Sequence, residues 1–359
     1  MFNRISYKGL SVERAAKLPI VIHHLNELTL GGTEKMVQTN MPYFINNGTF
    51  DHYLAYRSDR DLSREPYFKE ILGTDKLLSY KTEADFIDIV KTKKPFIIHR
   101  YSAGIPEFPF VKEVKQYTDH FVSTSTFGNQ DDTINISKVI YVSKHVQWMA
   151  GKQGAENHHI IGIPVPEPPS AGDLKEELGI PNDAFVFGRI GRDYENIYDP
   201  INIEAYAKIA TDNTYFVIVN PSRSSRADIE RLNITSARVI ERTTSEVRLS
   251  EFYNTIDVLA HSRKDGECSP QNVWEAFSHG KPVISHYGNP FNGHIEVIQD
   301  CGFVVLPNDV DEYARIMKKF IKKEIDYFKI SEKCIKNWRK HCMPENITKA
   351  QLNLYKELL

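Results

Sequence analysis

The sequence contains little cysteine and no long apolar run. Its 359 residues include four cysteines, which are far apart and lack the paired spacing of a zinc site: Cys268, Cys301, Cys334 and Cys342. They predict reduced thiols in a cytoplasmic protein. No segment approaches the roughly 20 apolar residues of a transmembrane helix. Residues 1–25 lack an apolar region leading to a cleavage site, which argues against secretion.

A strong net charge is also absent. The 45 Lys and Arg residues nearly balance the 47 Asp and Glu residues, and no recognition motif is present, so nucleic acid is not an expected partner. One segment departs from this balance, because residues 315–340 contain ten Lys or Arg residues against three acidic residues, a net charge of +7. Such a segment is usually a solvated helix face. A peripheral contact with an anionic membrane is the alternative hypothesis.

The length and composition predict two globular domains. A chain of 359 residues, 41% hydrophobic and 26% charged, exceeds what one hydrophobic core usually supports. Four prolines between residues 160 and 172 disfavour a helix and make a stiff connection there. We therefore expect an N-terminal domain over residues 1–165, a second domain over 166–340 and a terminal segment over 341–359.

The first domain alternates between strand-like and helix-like segments. Residues 19–25 and 95–100 are two of its apolar strand segments, and a helical pattern follows the first of them. This alternation predicts a parallel sheet covered on both faces, with any site at the carboxyl ends of the strands. Gly31 and Gly32 open a helix after the first strand, where free amides suit an anion or a sugar oxygen. A plain tight turn is the alternative.

Polar side chains end predicted strands in both domains. His99 is at the end of one strand, so we expect it to point toward the cleft between the domains. The alternative is a histidine that is hydrogen-bonded within a loop. In the second domain, Arg189 and Arg192 follow a strand and would face a pyrophosphate there. The alternative for the arginines is pairing with neighbouring acids.

The most informative pattern lies in residues 261–286, where seven residues separate Glu267 from Glu275 between a strand and a helix. The start of that helix leaves the N–H groups of Gln271 and Asn272 free, and its partial positive charge favours a phosphate. Glu275 lies about one turn further on and suits hydrogen bonds from vicinal hydroxyls such as those of a ribose. A capping carboxylate and one solvent-facing Glu are the alternative.

This pattern resembles the motif of the retaining glycosyltransferases of family 4, which have the GT-B fold. The matching residues are Glu267, Cys268, Ser269, Pro270, Glu275, Ala276, Gly280, Lys281, Pro282 and Val283. The resemblance covers nearly the whole second domain and, more loosely, the first. It implies an α/β protein with two Rossmann-like, doubly wound domains that face a central cleft. It also implies a terminal helix that crosses back to the first domain.

The resemblance further implies the roles of individual residues. Glu267 lies near the donor sugar, and Glu267 and His99 form the expected catalytic set. In the family, the amides after the turn hold the pyrophosphate and the second Glu binds the ribose. The expected donor-binding set is Gly31, Gly32, Arg189, Arg192, Lys264, Ser269, Gln271, Asn272 and Glu275.

The implied function is transfer of a sugar from a UDP- or GDP-sugar to a glycan, lipid-linked or small-molecule acceptor, with retention at the anomeric carbon. The resemblance implies no cofactor and no metal. Asp59 and Asp61 superficially resemble the metal-binding carboxylates of the other major glycosyltransferase fold, but they lie in a charged loop that predicts solvated surface. A nucleotide-sugar epimerase or hydrolase of the same fold is one alternative, and a catalytically silent binding protein is another.

Two departures from the family pattern bear on these alternatives. Pro270 replaces a small residue in the turn, which removes one N–H donor and stiffens the loop. The Lys that follows the family's Arg is also missing, because residues 195–197 are Glu, Asn and Ile. We expect Arg192 or Lys264 to supply the missing charge. If no residue replaces the missing Lys, the hypothesis of a catalytically silent binding protein applies.

Overall fold

The computed structural model describes residues 17–103, 105, 113–131 and 135–359. Residues 1–16, on which part of the argument against secretion rests, lie outside the described ranges. The described chain forms two parallel β-sheets and one short two-stranded pair, with helices packed against the sheets.

The N-terminal domain is built on a sheet of seven parallel strands. Its strands are β1 (Ile20–Leu25), β2 (Asp51–Arg57), β3 (Leu77–Tyr80), β4 (Ile97–Ser102), β5 (His120–Ser125), β6 (Lys138–Tyr141) and β7 (His158–Ile160). Their order across the sheet is β3-β2-β1-β4-β5-β6-β7. Every residue of β1 and β4 is buried, as expected for central parallel strands covered on both faces.

The C-terminal domain is built on a second parallel sheet of six strands. Its strands are β8 (Phe185–Ile190), β9 (Thr214–Val219), β10 (Ala237–Ile240), β11 (Val258–Ala260), β13 (Val283–His286) and β15 (Gly302–Val305). Their order is β10-β9-β8-β11-β13-β15. A separate pair, β12 (Gly266–Glu267) with β14 (Phe291–Asn292), lies at the cleft side of this domain.

Helices connect the strands and cover the sheets. In the first domain they are α1 (Gly32–Asn47), α2 (Glu65–Leu72), α3 (Glu83–Lys93) and α4 (Lys144–Met149). In the second they are α5 (Ile201–Ala207), α6 (Arg223–Arg231), α7 (Glu246–Thr255), α8 (Gln271–Ser278), α9 (Gly293–Ile298), α10 (Val310–Ile321) and α11 (Tyr327–His341). The last helix, α12 (Pro344–Lys356), packs against α1 of the first domain.

The two sheets confirm the predicted fold class of two Rossmann-like, doubly wound domains. In each sheet the strand order reverses beside the first strand of the domain, between β1 and β4 and between β8 and β11. Ligands of such sheets bind at this switch point, outside the carboxyl ends of the strands. The loops after β1, β8 and β11 are the ones that carry the glycine pair, Arg192 and the Glu267 motif.

Candidate active site

A cavity of about 410 Å³ lies between the two domains. The first domain contributes the glycine pair and the first turns of α1, and the second contributes α8 and the loops after β8, β10 and β11. Contacts between the domains flank this cleft. The Ser143 hydroxyl donates to the Cys268 carbonyl at 2.8 Å, and the Asn292 N–H donates to Nε2 of His145 at 2.9 Å.

The short pair β12–β14 positions Glu267 at the cavity wall. Gly266 has φ +72°, and a Cβ at this position would lie 1.7 Å from the carbonyl oxygen of Phe291. Only glycine allows this left-handed conformation together with so close an approach of two backbones. The chain therefore turns sharply just before Glu267 and enters α8 four residues later, at Gln271.

The Glu267 carboxylate is held by a histidine and an arginine. Nη1 of Arg263 donates to it at 3.1 Å, and Nε2 of His261 lies 3.8 Å away. The other ring nitrogen of His261 is hydrogen-bonded to the Ser285 hydroxyl at 2.8 Å, which fixes the ring. Burial opposes ionisation of Glu267, but His261 and Arg263 outweigh it and hold its pKa below the ordinary value. Glu267 is therefore a carboxylate at neutral pH.

Glu275 lies on the cavity side of α8 and accepts hydrogen bonds from two other elements. The Tyr253 hydroxyl of α7 donates to Oε2 at 3.0 Å, and Nζ of Lys35 from α1 donates to Oε1 at 2.9 Å. Lys35 also contacts Glu246, in the first turn of α7, at 3.1 Å. Pro270 gives the α8 start no side-chain cap, so the N–H groups of Gln271 and Asn272 lack an intrahelical acceptor, and both residues line the cavity.

The structure brings most of the predicted site residues together. Eight of them line the cavity: Gly31, Gly32, Arg192, Glu267, Ser269, Gln271, Asn272 and Glu275. The Asn272 side chain is engaged locally, since Nδ2 donates to the Ile190 carbonyl at 3.3 Å and Oδ1 accepts from the Val273 N–H at 2.9 Å. Asn272 therefore offers its backbone N–H, not its amide side chain, to a ligand.

His99 does not point into the cleft, so the predicted position of its side chain is wrong. The residue is fully buried inside the first domain and is not part of the cavity wall. Nε2 is hydrogen-bonded to the Thr124 hydroxyl at 2.8 Å, and Nδ1 to the hydroxyl of Tyr355 in α12. Burial lowers the pKa of His99 to about 3, so the ring is neutral.

Arg189 and Lys264 also lie away from the cavity wall. Arg189 is 3% exposed, its Nε contacts the Ser262 hydroxyl at 3.4 Å, and Nη1 has no hydrogen-bond partner among the described residues. Burial lowers its pKa from the ordinary value for arginine. Lys264 is exposed to solvent. Of the cations predicted from sequence, only Arg192 reaches the cavity, and it does so as an exposed side chain.

At the position of the missing Lys, this chain has a carboxylate that caps a helix. The Glu195 carboxylate accepts from the Arg223 N–H at 2.8 Å and lies 3.4 Å from the Ser224 N–H, at the start of α6. A carboxylate at a helix N-terminus is favourable, whereas a cation there is not. Ile197 is buried. Positions 195 and 197 therefore contribute to local structure in this chain and supply no cation for a phosphate.

The sequence alone did not single out four residues that shape the site: Lys35, Glu246, Tyr253 and Arg263. A local signal existed for two of them. Lys35 follows the glycine pair by one helical turn, and Arg263 stands four residues before Glu267. Glu246 and Tyr253 carry no such signal, because only the packing of α7 beside α8 brings Glu246 to the cavity and Tyr253 to Glu275.

Within residues 17–103, 105, 113–131 and 135–359, no group of three or more His, Cys, Asp or Glu side chains is arranged to hold a metal ion. Over the same part of the chain, no helix combines the length and the apolar character needed to cross a membrane.

Residues 170–341 match the model of one protein family, the glycosyl transferases group 1. Comparison with curated proteins gives no significant match. Among solved structures, a glycosyltransferase from Rickettsia africae ESF-5 is 16% identical with a TM-score of 0.73, over 95% of this chain and 98% of that chain. HepE from Anabaena, in complex with UDP and glucose, is 14% identical with a TM-score of 0.75, over 94% and 100% of the two chains.

A third similar structure is the apo form of the lipopolysaccharide outer core galactosyltransferase WaaB. It is 15% identical with a TM-score of 0.71, over 95% of this chain and all of that chain. Structural similarity at such low sequence identity establishes only the fold. The described chain has the GT-B fold, as predicted. The family match over residues 170–341 agrees with the predicted resemblance, which covered nearly the whole second domain.

Proposed function

Because the C-terminal domain is a domain of the glycosyl transferases group 1 family, we propose that the chain transfers a sugar from a nucleotide-diphosphate sugar to an acceptor. The observation that carries this proposal is the placement of Glu267 and Glu275 on the two sides of the α8 start, in one interdomain cavity. A helix start binds phosphate, and a carboxylate one turn away accepts hydrogen bonds from a ribose.

The donor's diphosphate would lie against the first amides of α8 and the Arg192 side chain. These groups are aimed at the place where negative charge grows as the sugar leaves. Preorganised donors of this kind stabilise a transition state more than a ground state. This supports transfer without a metal ion or cofactor.

We further propose that transfer proceeds with retention. The bond between the anomeric carbon and the phosphate oxygen breaks, the acceptor oxygen bonds to the same face, and its proton passes to the departing phosphate. The ionised Glu267 would lie beside the sugar, where a fixed negative charge stabilises the positive charge that develops on the ring. Resemblance to the retaining family supports this stereochemistry.

UDP-linked or GDP-linked sugars are the proposed donors, and the UDP complex of HepE supports the first of these. Glycans, lipid-linked sugars and small molecules are the acceptors considered, and the lipopolysaccharide substrate named for WaaB favours a glycan or a lipid-linked glycan. The exposed lysines of α10 and α11 support a peripheral contact with an anionic membrane at the cytoplasmic face.

The test is incubation of the protein with a panel of UDP- and GDP-sugars, followed by detection of free nucleotide and of sugar identity. Slow release of UDP or GDP, accelerated by an acceptor extract and retained in EDTA, is the expected result. A changed sugar on intact nucleotide would indicate an epimerase, and binding without turnover would indicate a silent binding protein. Activity that requires added Mn²⁺ or Mg²⁺ would contradict the metal-independent chemistry.

Glu275→Ala provides the matched control for this assay. Loss of the carboxylate removes a charged acceptor for the ribose, a bond worth about 1.5–3 kcal/mol. Nucleotide affinity should therefore fall at least tenfold. Calorimetry that shows unchanged affinity in the folded variant would remove Glu275 from the donor site.

A further inference from the structure

Lys35 joins the two domains inside the cavity. It lies in the first turn of α1, and its Nζ is 2.9 Å from Glu275 and 3.1 Å from Glu246, both of which belong to the C-terminal domain. The side chains of Lys35 and Glu275 are each only 16% exposed. Burial lowers the pKa of Lys35, but the two carboxylates outweigh burial and raise it to about 12. Lys35 is therefore a fixed cation with two carboxylate partners.

This contact conflicts with the role of Glu275 in the proposed function, on which the inference rests. The Tyr253 hydroxyl already donates to Oε2 of Glu275, and Lys35 donates to Oε1. A carboxylate can accept more than two hydrogen bonds, but two vicinal hydroxyls bound in bidentate fashion approach both oxygens from one side, including the Oε1 atom that Lys35 contacts. A ribose that binds Glu275 must therefore displace the ammonium group of Lys35 or share its place.

The other cationic side chains of the cavity wall are either hydrogen-bonded to protein groups or exposed to solvent. Arg263 is paired with both oxygens of Asp265 at 2.6 and 2.8 Å and with Glu267. Arg64 donates to the Thr29 carbonyl at 3.0 Å and to the Gln38 side chain. Arg192 is exposed at the rim, with its guanidinium 5.7 Å from the ring of Tyr194. Arg263 and Arg64 are therefore already paired, and Arg192 can reach a diphosphate only from the exposed rim of the cavity.

Lys35 stands close to the predicted phosphate position. The α1 start faces the α8 start across the cleft, since a Cβ on Gly32 would lie 3.3 Å from Oε1 of Gln271. Lys35 follows Gly32 by three residues and carries a flexible four-carbon stem. An ammonium group displaced from Glu275 keeps only Glu246 as a partner, and the diphosphate is the further anion that a donor would bring to it.

We propose that Lys35 exchanges partners when the donor binds, leaving Glu275 to the ribose and pairing with the diphosphate. The cation that the C-terminal domain lacks at residues 195–197 would thus be supplied by the N-terminal domain. Both members of the ion pair that joins the domains would then belong to the donor site.

The test compares a nucleoside with its diphosphate. Calorimetry would give the affinities of uridine and UDP, with guanosine and GDP in parallel, for the wild type and for Lys35→Met. The variant should bind UDP about tenfold more weakly, because a charge-assisted contact is lost. It should bind uridine on the order of two- to fivefold more tightly, because the competing ion pair is gone. Lys35→Arg should keep most of the UDP affinity.

Opposite shifts for nucleoside and diphosphate are the signature of the exchange, and a purely structural role would shift both in the same direction. Equal shifts, or none, in the folded Lys35→Met protein would overturn the inference while the proposed function stands. Failure of the wild type to bind any of the four ligands would overturn both. Lys35→Gln is the second variant if the Met variant does not fold. Lys208→Met, which removes an exposed pair with Asp311, is the matched control.

Discussion

Two buried polar clusters illustrate opposite uses of the same side chains. The cleft cluster, formed by His261, Arg263 and Glu267, leaves its carboxylate open to the interdomain cavity. The core cluster of the first domain is sealed on all sides, and it consists of His23, His52, His99, Tyr101 and Tyr355. The cleft cluster begins just after the carboxyl end of β11, whereas His23, His52 and His99 lie within β1, β2 and β4. Position beyond a strand end, with access to the cavity, therefore decides whether a polar group can act on a ligand.

The core cluster is closed by its own hydrogen bonds. His23 is bonded to the Tyr101 hydroxyl at 2.9 Å and to His52 at 3.0 Å, and His99 is bonded to Thr124 and Tyr355. Tyr355 belongs to α12, which covers this part of the sheet from the far end of the sequence. Among the described residues, every ring nitrogen of these three histidines except Nε2 of His52 has a hydrogen-bond partner. Buried polar groups paired in this way stabilise one packing arrangement, so we assign this cluster a structural role.

The largest expected effect is in the cleft cluster. Glu267→Gln keeps the size of the side chain but removes the charge that we place beside the reacting sugar. Turnover should fall by about 10² to 10³, as for the loss of one electrostatic group in other active sites. Steady-state release of nucleotide, with UDP or GDP affinity measured alongside, gives the result. A variant with wild-type turnover would exclude Glu267 from catalysis.

The next effect concerns the core cluster and should appear in stability. His99→Ala removes the ring partner of the Thr124 hydroxyl and one of the partners of the Tyr355 hydroxyl, and it opens space beside α12. A loss of about 2–3 kcal/mol in the free energy of unfolding is expected. Urea unfolding measures it. Nucleotide affinity of the folded variant should stay within about twofold of the wild type. A large drop in turnover at unchanged stability would instead restore the catalytic role that the sequence suggested.

These two clusters also show how far sequence reasoning extends. The strand and helix alternation, the glycine pair and the Glu267–Glu275 motif are local patterns, and the fold they predicted is confirmed. The environment of His99 is not local, because its partner Tyr355 lies 256 residues away. The contact of Lys35 with Glu275 spans 240 residues. No periodicity encodes such contacts, since they depend on how whole elements pack.

A smaller effect is the pH dependence of the free energy of unfolding, which differs between the two clusters. The pKa values of His52 and His99 in the folded protein are about 3, against 6.5 ordinarily, chiefly because burial disfavours the charged ring. Below about pH 6.5 the unfolded chain binds protons that the folded protein does not, so stability falls as pH decreases. Each histidine contributes roughly 1.4 kcal/mol per pH unit in that range.

In the cleft cluster, Glu267 affects stability only at a lower pH. Glu267 has a lowered pKa, so its contribution is complete above its ordinary value of 4.5 and is lost only as pH falls through the lower folded value. Urea unfolding between pH 7.5 and 5 should therefore show a loss that His99→Gln reduces by about 1 kcal/mol per pH unit. An identical slope in wild type and variant would contradict this assignment.

The smallest expected effect tests the rim of the cleft, where Arg192 is the only exposed arginine or lysine among the described residues of the cavity wall. An exposed cation is screened by water, so Arg192→Ala should weaken UDP or GDP affinity by about three- to tenfold. Glu195→Lys should not restore it, because the new cation would replace the carboxylate that caps α6. Tyr194→Lys should restore part of it, since Tyr194 is exposed and its ring is 5.7 Å from the Arg192 guanidinium. Rescue by Glu195→Lys and not by Tyr194→Lys would show that the diphosphate lies nearer α6 than the α8 start.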